Sequence, residues 1–378
     1  MTQRDFKGHK LLGYGCYSFV YSVTSTRPYD KGKSYALKRY FLRDPAPIYC
    51  ARKEYKILKK IALDPHASSF LPTLYYSFVI ENSPTLVLTE ALGLTLYNLV
   101  RINGPLTVKQ AKFYAAEMIC GLKYLHSKGI VHMELKNNNV LITKTGHTLL
   151  SDFDRSYDLS ENTRPPFPED FQVNVNYAAP EIANKHVITD RADIWSLGVL
   201  MAWLIGKSIR PEAKNYELEV QMAKTGLWQI NEFSRLSRSL QEFFNEVFTF
   251  NYLERPNIEA IQNLTLFRNI NWNNVEQLRI KPPFSTIRLK SIIDKLNTDF
   301  NPIDPVLLQC LYSYHMPLVA RCTFQFKTDL EGHRSFILVQ PNLQLLNNLG
   351  IPAQKISEEL EKYNFIHPLL NYRRLLSK

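Results

Sequence analysis

The apolar residues of this 378-residue chain change their spacing near residue 107, and that change limits the fold more than any other feature of the sequence. Before it, residues 19–25 and 34–40 are rich in β-branched and aromatic side chains and are separated by a turn-like segment, which is typical of paired strands. After it, apolar residues recur every three to five positions between residues 113 and 125, which indicates an amphipathic helix. We therefore expect an α+β protein in which a small β-rich unit precedes a larger helical one.

Two more helices and another strand are predicted from the same patterns. One helix covers residues 49–63, with Ile57, Leu58 and Ile61 on one side. The other covers residues 192–205 and is apolar all round, so we expect it to be central and buried. A short apolar strand is predicted at residues 85–89.

The composition is that of an ordinary globular protein, with 45% hydrophobic and 21% charged residues, and it excludes a mainly disordered chain. A mass of 43.9 kDa is enough for two or three structural units. No apolar run reaches the ~18 residues that a bilayer crossing needs, and the polar start of the chain does not resemble a secretory signal. The five cysteines are scattered, which argues against a zinc site or a disulfide framework. We expect a cytoplasmic or nuclear monomer without a membrane span.

The chain is basic, with 46 Lys and Arg residues against 35 Asp and Glu residues and a net charge of +11. Such a balance favours acidic partners such as phosphates, an anionic membrane or nucleic acid. The basic residues are spread along the chain rather than massed in one block, so the charge alone does not predict nucleic-acid binding.

A glycine pair, Gly13 and Gly15, lies where the first two strands are expected to meet. Without Cβ atoms there, backbone N–H groups could come close to a polyphosphate, although a Gly-x-Gly turn in any hairpin looks the same. Lys38 follows on the next strand and Glu54 on the next helix. A lysine within a strand most often faces solvent, but a glycine loop in front of it favours a phosphate-binding role.

Two polar segments carry the most specific signal. Residues 130–142 read Ile-Val-His-Met-Glu-Leu-Lys-Asn-Asn-Asn-Val-Leu-Ile, and residues 150–154 read Leu-Ser-Asp-Phe-Asp. They resemble the catalytic loop His-Arg-Asp-Leu-Lys-x-x-Asn and the metal-binding turn Asp-Phe-Gly of eukaryotic protein kinases. Further motifs of that family follow in its order: Ala-Pro-Glu at 179–181, Asp-Ile-Trp-Ser-Leu-Gly at 193–198, and Glu-Arg-Pro at 254–256, whose arginine would pair with the glutamate of the first.

The resemblance implies a bilobal kinase fold with a β-rich N-lobe over residues 1–92 and a larger helical C-lobe over residues 93–270. Segments at 94–99, 111–117, 122–126 and 267–284 are similar to the AGC group of Ser/Thr kinases. In that group a C-terminal tail begins after the C-lobe, and residues 297–300 are weakly similar to the next motif of the tail. The resemblance therefore implies that residues 271–378 contain the start of such a tail, followed by an extension. From residue 304 onward this extension stays unassigned.

The matching positions imply a site for Mg²⁺ and ATP and a protein substrate as partner. Glu134 would be the catalytic base, and Lys136 would neutralise charge on the transferring phosphoryl group. Asn139 and Asp152 would hold magnesium, because both offer hard oxygen ligands. A column formed by Leu58, Leu74, His132 and Phe153 would link the lobes, with the simpler alternative that these four are ordinary core residues. The implied ATP-binding residues are Leu12, Gly13, Gly15, Val20, Ala36, Lys38, Glu54, Glu90, Leu92 and Leu141.

The departures from the family pattern fall on the chemistry rather than on nucleotide binding. Glu134 stands where the family has Asp and is one methylene longer, although it keeps the charge. Met133 replaces the arginine that would clamp a phosphate, and residues 169–171, at the usual phosphosite, read Glu-Asp-Phe. Asp154 replaces a glycine, which we expect to restrict a turn with an unusual φ, and Asn174 replaces a Thr. Two leading hypotheses follow: a slow, ATP-dependent protein Ser/Thr kinase independent of loop phosphorylation, or a nucleotide-binding pseudokinase that acts as a scaffold or allosteric partner. A third, a nucleic-acid-binding protein on a kinase scaffold, rests only on the net charge of +11.

Overall fold

The computed structural model describes residues 5–15, 17–40, 45–80, 82–160 and 174–299, and the backbone of two strands at 323–328 and 334–340. Residues 169–171 and Phe300, which carry two of the predicted motifs, lie outside the described residues. The chain divides into two compact units. The first contains the described parts of Met1–Tyr49, Phe78–Thr85 and Asn297–Lys378, and the second contains Cys50–Ser77 and Leu86–Leu296.

The first unit is built on antiparallel strands, as the alternating sequence predicts. Strands β1 (Phe6–Tyr14), β2 (Ser18–Ser25) and β3 (Ser34–Tyr40) pair in order, and β4 (Leu74–Ile80) and β5 (Ser83–Leu88) complete a sheet of order β1-β2-β3-β5-β4. The β2–β3 turn is tied by Asp30, whose carboxylate accepts hydrogen bonds from Ser25 Oγ at 2.6 Å and Tyr35 Oη at 2.7 Å. The register places Val20 opposite Lys38.

The second unit is mainly helical, with helices and short strands that follow one another from Pro45, just before the unit begins. They are α1 (Pro45–Ala62), β6 (Leu94–Thr95), α2 (Leu96–Asn103), α3 (Val108–Ser127), β7 (Ile130–Val131), β8 (Val140–Ile142), β9 (Thr148–Leu150), β10 (Tyr157–Asp158), α4 (Pro180–Ala183), α5 (Arg191–Leu204), α6 (Tyr216–Lys224), α7 (Arg238–Val247), α8 (Ile258–Asn263), α9 (Trp272–Glu276) and α10 (Thr286–Asp299). Strands β6, β8 and β9 form one small sheet, and β7 pairs with β10. The predicted α+β protein, with its β-rich part first, is confirmed.

Local sequence sets where the helices begin. Thr95 and Thr107 cap α2 and α3 with reciprocal capping boxes, using Asn98 and Gln110 as partners. The predicted central helix is confirmed as α5, in which nearly every residue is buried, including Trp195. In α1, Ile57, Leu58 and Ile61 are buried as predicted.

A buried ion pair joins two of the motifs. Arg255 donates from Nη1 and Nη2 to the two carboxylate oxygens of Glu181 at 2.7 and 3.0 Å, and the side chains are 0% and 4% exposed. The same guanidinium donates to three backbone carbonyls and lies 5.1 Å from the centre of the Trp195 ring. The predicted pairing of Ala-Pro-Glu with the late arginine is therefore confirmed.

Near the C-terminus, β11 (Thr323–Thr328) and β12 (Arg334–Gln340) form an antiparallel pair. A search of the described residues for helices that could span a bilayer finds none of sufficient length and apolar character. Within the same residues, Cys50 and Cys120 are buried free thiols.

Candidate active site

The predicted catalytic loop connects β7 to β8, and the carboxylate of Asp193 fixes its first residues. Asp193 of α5 accepts hydrogen bonds from the backbone amides of His132 at 2.8 Å and Met133 at 3.0 Å, and it contacts His126 Nε2 at 2.9 Å. Met133 has a φ of +66°, a left-handed conformation that a non-glycine residue adopts only when its surroundings enforce it. The loop is thus held in a costly shape, which is common at functional sites.

Glu134, Lys136 and Asn139 meet within this loop. Lys136 Nζ lies 2.7 Å from Glu134 Oε1, and Asn139 Nδ2 donates to Glu134 Oε2 at 3.1 Å and to its backbone carbonyl at 2.9 Å. Lys136 and Asn139 are buried, whereas Glu134 is half-buried. Both carboxylate oxygens of Glu134 therefore have donors.

The Asp-Phe-Asp turn follows β9 and lies against the loop. Ser151 donates from its backbone amide to the carbonyl of Asn139 at 2.8 Å. One carboxylate oxygen each of Glu134, Asp152 and Asp154 lies within 4.8 Å of the others. Such a set of hard oxygen donors fits the ligand preference of Mg²⁺. The sequence predicted Asp152 as a metal ligand. Asp154 was considered only as the replacement of a glycine, and its place in this group of carboxylates was missed.

The unusual backbone conformation in this turn belongs to Asp152 rather than to Asp154. Asp152 has a φ of +71°, and Asp154 is not among the described residues with positive φ. Position 154 therefore accepts a side chain without the predicted conformational restriction. Burial lowers the pKa of the nearby Lys53, and the positive charge of Arg155 lowers it further. Cys50 and Asp154 act in the opposite direction and raise this pKa.

Glu54 of α1 reaches the same turn. Its side chain is 1% exposed, and its Oε1 accepts a hydrogen bond from the Phe153 amide at 3.3 Å. The rings of Phe153 and His132 lie 5.1 Å apart, and both side chains are fully buried, as is Leu58, whereas Leu74 is half-buried. The column that these four residues would form stays a prediction. The resemblance to protein kinases also implies an ion pair between Glu54 and Lys38, and this pair stays a prediction.

In the first unit, Lys38 is buried on β3, with its Nζ 5.3 Å from the centre of the Tyr40 ring. A Cβ added at Gly13 or Gly15 would meet no atom of the described residues within 4 Å, so those residues do not explain why glycine stands at these two positions. The Gly15 amide itself donates to the Ser18 carbonyl at 2.9 Å. Of the other predicted nucleotide contacts here, Ala36 is buried, and Leu12 and Val20 are half-buried.

Residues 90–92, which by the resemblance would form the hinge that receives adenine, lead into β6. The Glu90 carboxylate lies 2.6 Å from Lys144 Nζ, a partner that the sequence did not indicate. The Leu92 amide donates to the Ile142 carbonyl at 2.9 Å, which continues the pairing of β6 with β8. Leu141, on β8, is half-buried. The amide of Leu92 is therefore engaged by the protein itself.

Asn174, at the position of the family's threonine, caps its own turn. Its Oδ1 accepts a hydrogen bond from the Asn176 amide at 3.2 Å, and its carbonyl accepts from the amides of Tyr177 and Ala178, each at 3.0 Å. The residue therefore stabilises the chain where it approaches α4.

Comparison with known proteins agrees with this geometry. The family described as protein kinase domain matches residues 6–267. Ribosomal protein S6 kinase 2 alpha of Xenopus laevis is 30% identical over 290 residues, 75% of this chain and 38% of that protein. Ribosomal protein S6 kinase alpha-1 of Homo sapiens is 31% identical over 284 residues, 73% of this chain and 37% of that protein. The chain thus spans a little over a third of the length of these relatives. The resemblance read from the motifs is confirmed, and the chain belongs to the protein kinase family.

Proposed function

We propose that this chain is an ATP- and Mg²⁺-dependent protein Ser/Thr kinase that transfers the γ-phosphoryl group of ATP to a hydroxyl of a protein substrate. The observation that carries the proposal is that Lys136 and Asn139 both lie within hydrogen-bond distance of the Glu134 carboxylate, beside Asp152. A monomeric state and a cytoplasmic or nuclear location remain predictions.

Each side chain of the loop has a role in the proposed reaction. Glu134 accepts the proton of the substrate hydroxyl, and Lys136 offsets charge that develops on the transferred group. Because Lys136 Nζ lies 2.7 Å from Glu134 Oε1, the same lysine also orients the base. The longer Glu134 side chain and its two donors make proton transfer slow, since general-base help depends on reach.

The remaining residues would bind the nucleotide and the metal. Asn139 and Asp152 would hold Mg²⁺, with the Asp154 carboxylate beside them, and bound Mg²⁺ supplies charge neutralisation for the phosphates. Lys38 and the glycines at 13 and 15 would contact the phosphates. Because the Leu92 amide donates to Ile142, we assign the hinge contact with adenine to the main chain of residues 90 and 91.

The second candidate function is a nucleotide-binding pseudokinase that acts on a partner protein without phosphate transfer. It is favoured by one observation: both carboxylate oxygens of Glu134 already have hydrogen-bond donors, Lys136 and Asn139. A carboxylate held in this way is a poorer acceptor for a substrate proton. Both candidates require Mg²⁺-ATP to bind.

The test scores binding and transfer on the same purified protein. Mg²⁺-ATP should raise the melting temperature, because a ligand at a hundredfold excess over Kd stabilises the folded state by ~2.7 kcal/mol. ATP alone should raise it less, and Asp152→Ala should remove the magnesium-dependent part. Transfer of ³²P to a basic peptide should disappear in Lys38→Met and persist in Lys33→Met, a control that removes an exposed lysine from the neighbouring turn.

The outcomes separate the candidates. Binding with transfer that Lys38→Met abolishes supports the kinase. Binding without transfer supports the pseudokinase. The absence of any thermal shift at millimolar Mg²⁺-ATP would refute both.

A further inference from the structure

Lys60, in the last turn of α1, joins three separate parts of the second unit. Its Nζ lies 2.9 Å from Asp158 Oδ2, 3.1 Å from the carbonyl of Lys128 and 3.4 Å from Ser160 Oγ. Asp158 belongs to β10, and Lys128 follows the end of α3. The ammonium thus ties the end of α1 to two elements that are distant in sequence.

The carboxylate that receives Lys60 is itself well fixed. The Asp158 side chain is 9% exposed, and its other oxygen, Oδ1, accepts hydrogen bonds from the Ser160 amide at 2.9 Å and Ser160 Oγ at 2.6 Å. Burial raises the pKa of Asp158, but the hydrogen bonds from Ser160 and Lys60 outweigh it and hold the pKa below its usual value. Asp158 therefore presents a charged, immobile acceptor to the helix.

Strand β10 leads back to the candidate active site. Its residues pair with β7, Tyr157 opposite Val131 and Asp158 opposite Ile130. The chain runs from β7 directly into the loop that carries Glu134. Through Asp158, Lys60 is therefore connected to β7, the strand from which the catalytic loop begins.

A second contact holds the same helix six residues earlier. Glu54 Oε1 accepts from the Phe153 amide at 3.3 Å, and six residues of helix span about 9 Å. Since a helix is rigid over this length, an anchor at Lys60 restricts the position of Glu54. The two contacts fasten α1 near its middle to the Asp-Phe-Asp turn and in its last turn to β10.

We propose that Lys60 is a positioning residue that, through Asp158 and the Lys128 carbonyl, holds α1 so that Glu54 stays on the Phe153 amide. Asp158 is a permanent anion, so this anchor needs no phosphate. Met133 stands where the family has an arginine that binds a phosphate, and it carries no charge. The contact of Lys60 with Asp158 would hold α1 without such a phosphate. The inference rests on the proposed function only where it concerns nucleotide affinity and activity.

The helix offers a matched control. Lys59 is also exposed in the last turn of α1 and contributes equally to the favourable charge at the helix end, but its Nζ lies 5.7 Å from the centre of the Tyr55 ring. Lys59→Met and Lys60→Met thus remove the same charge from the same turn. Lys60→Arg keeps a cation at the anchor.

The experiment is hydrogen–deuterium exchange on the full chain, read by mass spectrometry for peptides that cover residues 54–62 and 150–160. Lys60→Met should exchange about 3- to 5-fold faster than wild type in both peptides, because an exposed ion pair changes a local opening equilibrium by up to about this factor. Lys59→Met should stay within about 2-fold of wild type, and Lys60→Arg should recover most of the protection. The Kd for Mg²⁺-ATP should rise by a similar factor in Lys60→Met alone.

Equal exchange in Lys60→Met and Lys59→Met would refute the anchor. Faster exchange in Lys60→Met with an unchanged Mg²⁺-ATP Kd would make Lys60 merely structural and refute its positioning role. If the wild type binds no Mg²⁺-ATP, the proposed function fails, while the exchange comparison still decides whether the anchor exists.

Discussion

Replacing Glu134 by Asp tests the catalytic loop most directly, because the change keeps the charge and alters only the reach. The Glu134 carboxylate lies 2.7 Å from Lys136 Nζ and 3.1 Å from Asn139 Nδ2. Removing one CH₂ retracts it by about 1.5 Å, the length of a carbon–carbon bond. Neither hydrogen bond can keep its length without a shift of the loop. In Glu134→Asp the carboxylate should therefore move away from Lys136 and Asn139 and take the position that the Asp of the family occupies.

The size of the effect follows from the sensitivity of proton transfer to position. A displacement of ~1 Å can cost ~100-fold in rate, so Glu134→Asp should raise kcat by up to that factor. Glu134→Ala should lower kcat below that of wild type, because general-base help is worth ~100- to 10,000-fold. The Kd for Mg²⁺-ATP should change much less than kcat in both variants.

The assay measures ³²P transfer to a basic peptide for kcat and isothermal titration of Mg²⁺-ATP for Kd. Glu259→Asp, the same change at an exposed position of α8, is the control and should leave both values unchanged. A Glu134→Asp protein slower than wild type would contradict the argument and show that the loop is adapted to Glu. If wild type and both Glu134 variants bind Mg²⁺-ATP but transfer no phosphate, the kinase proposal is wrong and the pseudokinase proposal stands.

Three further predictions concern the scaffold. Arg255→Met leaves a buried carboxylate without its bidentate partner and should lower the free energy of unfolding by about 3–5 kcal/mol, measured by urea denaturation with Arg238→Met as an exposed control. Gly146→Ala should lower it by about 1–2 kcal/mol, because Gly146 has a φ of +92° and an added Cβ would lie 3.0 Å from Pro282; an unchanged midpoint would contradict this. The hydrogen bond from Lys128 is the main reason that the pKa of Asp64 is lowered to about 2, so Asp64 stabilises the fold above its unfolded pKa near 3.8, and this contribution is lost as the pH falls toward 2. The stability difference between wild type and Asp64→Asn should therefore shrink between pH 4 and pH 2 in thermal melts, and a difference independent of pH would exclude the ionised carboxylate as its source.

The sequence by itself determined the family and the local frame of the site. Glu134, Lys136 and Asn139 lie within six residues of one another, so one loop conformation brings them together, and the resemblance of residues 130–142 to the kinase catalytic loop identified them. The helix around residues 113–125 was predicted from its apolar spacing, whereas α2 and the capping of α2 and α3 by Thr95 and Thr107 were seen only in the structure. Buried helix α5 followed from its uniformly apolar composition.

Some parts of the predicted site depended on backbone geometry that residue types do not encode. The glycine expected after Asp152-Phe153 proved unnecessary for the conformation of the turn, because the left-handed φ falls on Asp152. Leu92 stays a predicted nucleotide contact, and its amide donates to the Ile142 carbonyl next to the pairing of β6 with β8. Strand pairing is a contact between distant segments, and the hinge sequence carries no signal of it.

Tertiary structure alone decided which distant charges meet. Asp154 joins Glu134 only because the turn after β9 packs against the loop between β7 and β8. Lys60 finds its acceptors 68 and 98 residues along the chain, at Lys128 and Asp158, although in sequence it is indistinguishable from the neighbouring Lys59. Spacing along a chain determines contacts within one turn or loop, whereas contacts between elements depend on how their apolar faces pack, so the anchor of α1 is visible only in the folded protein.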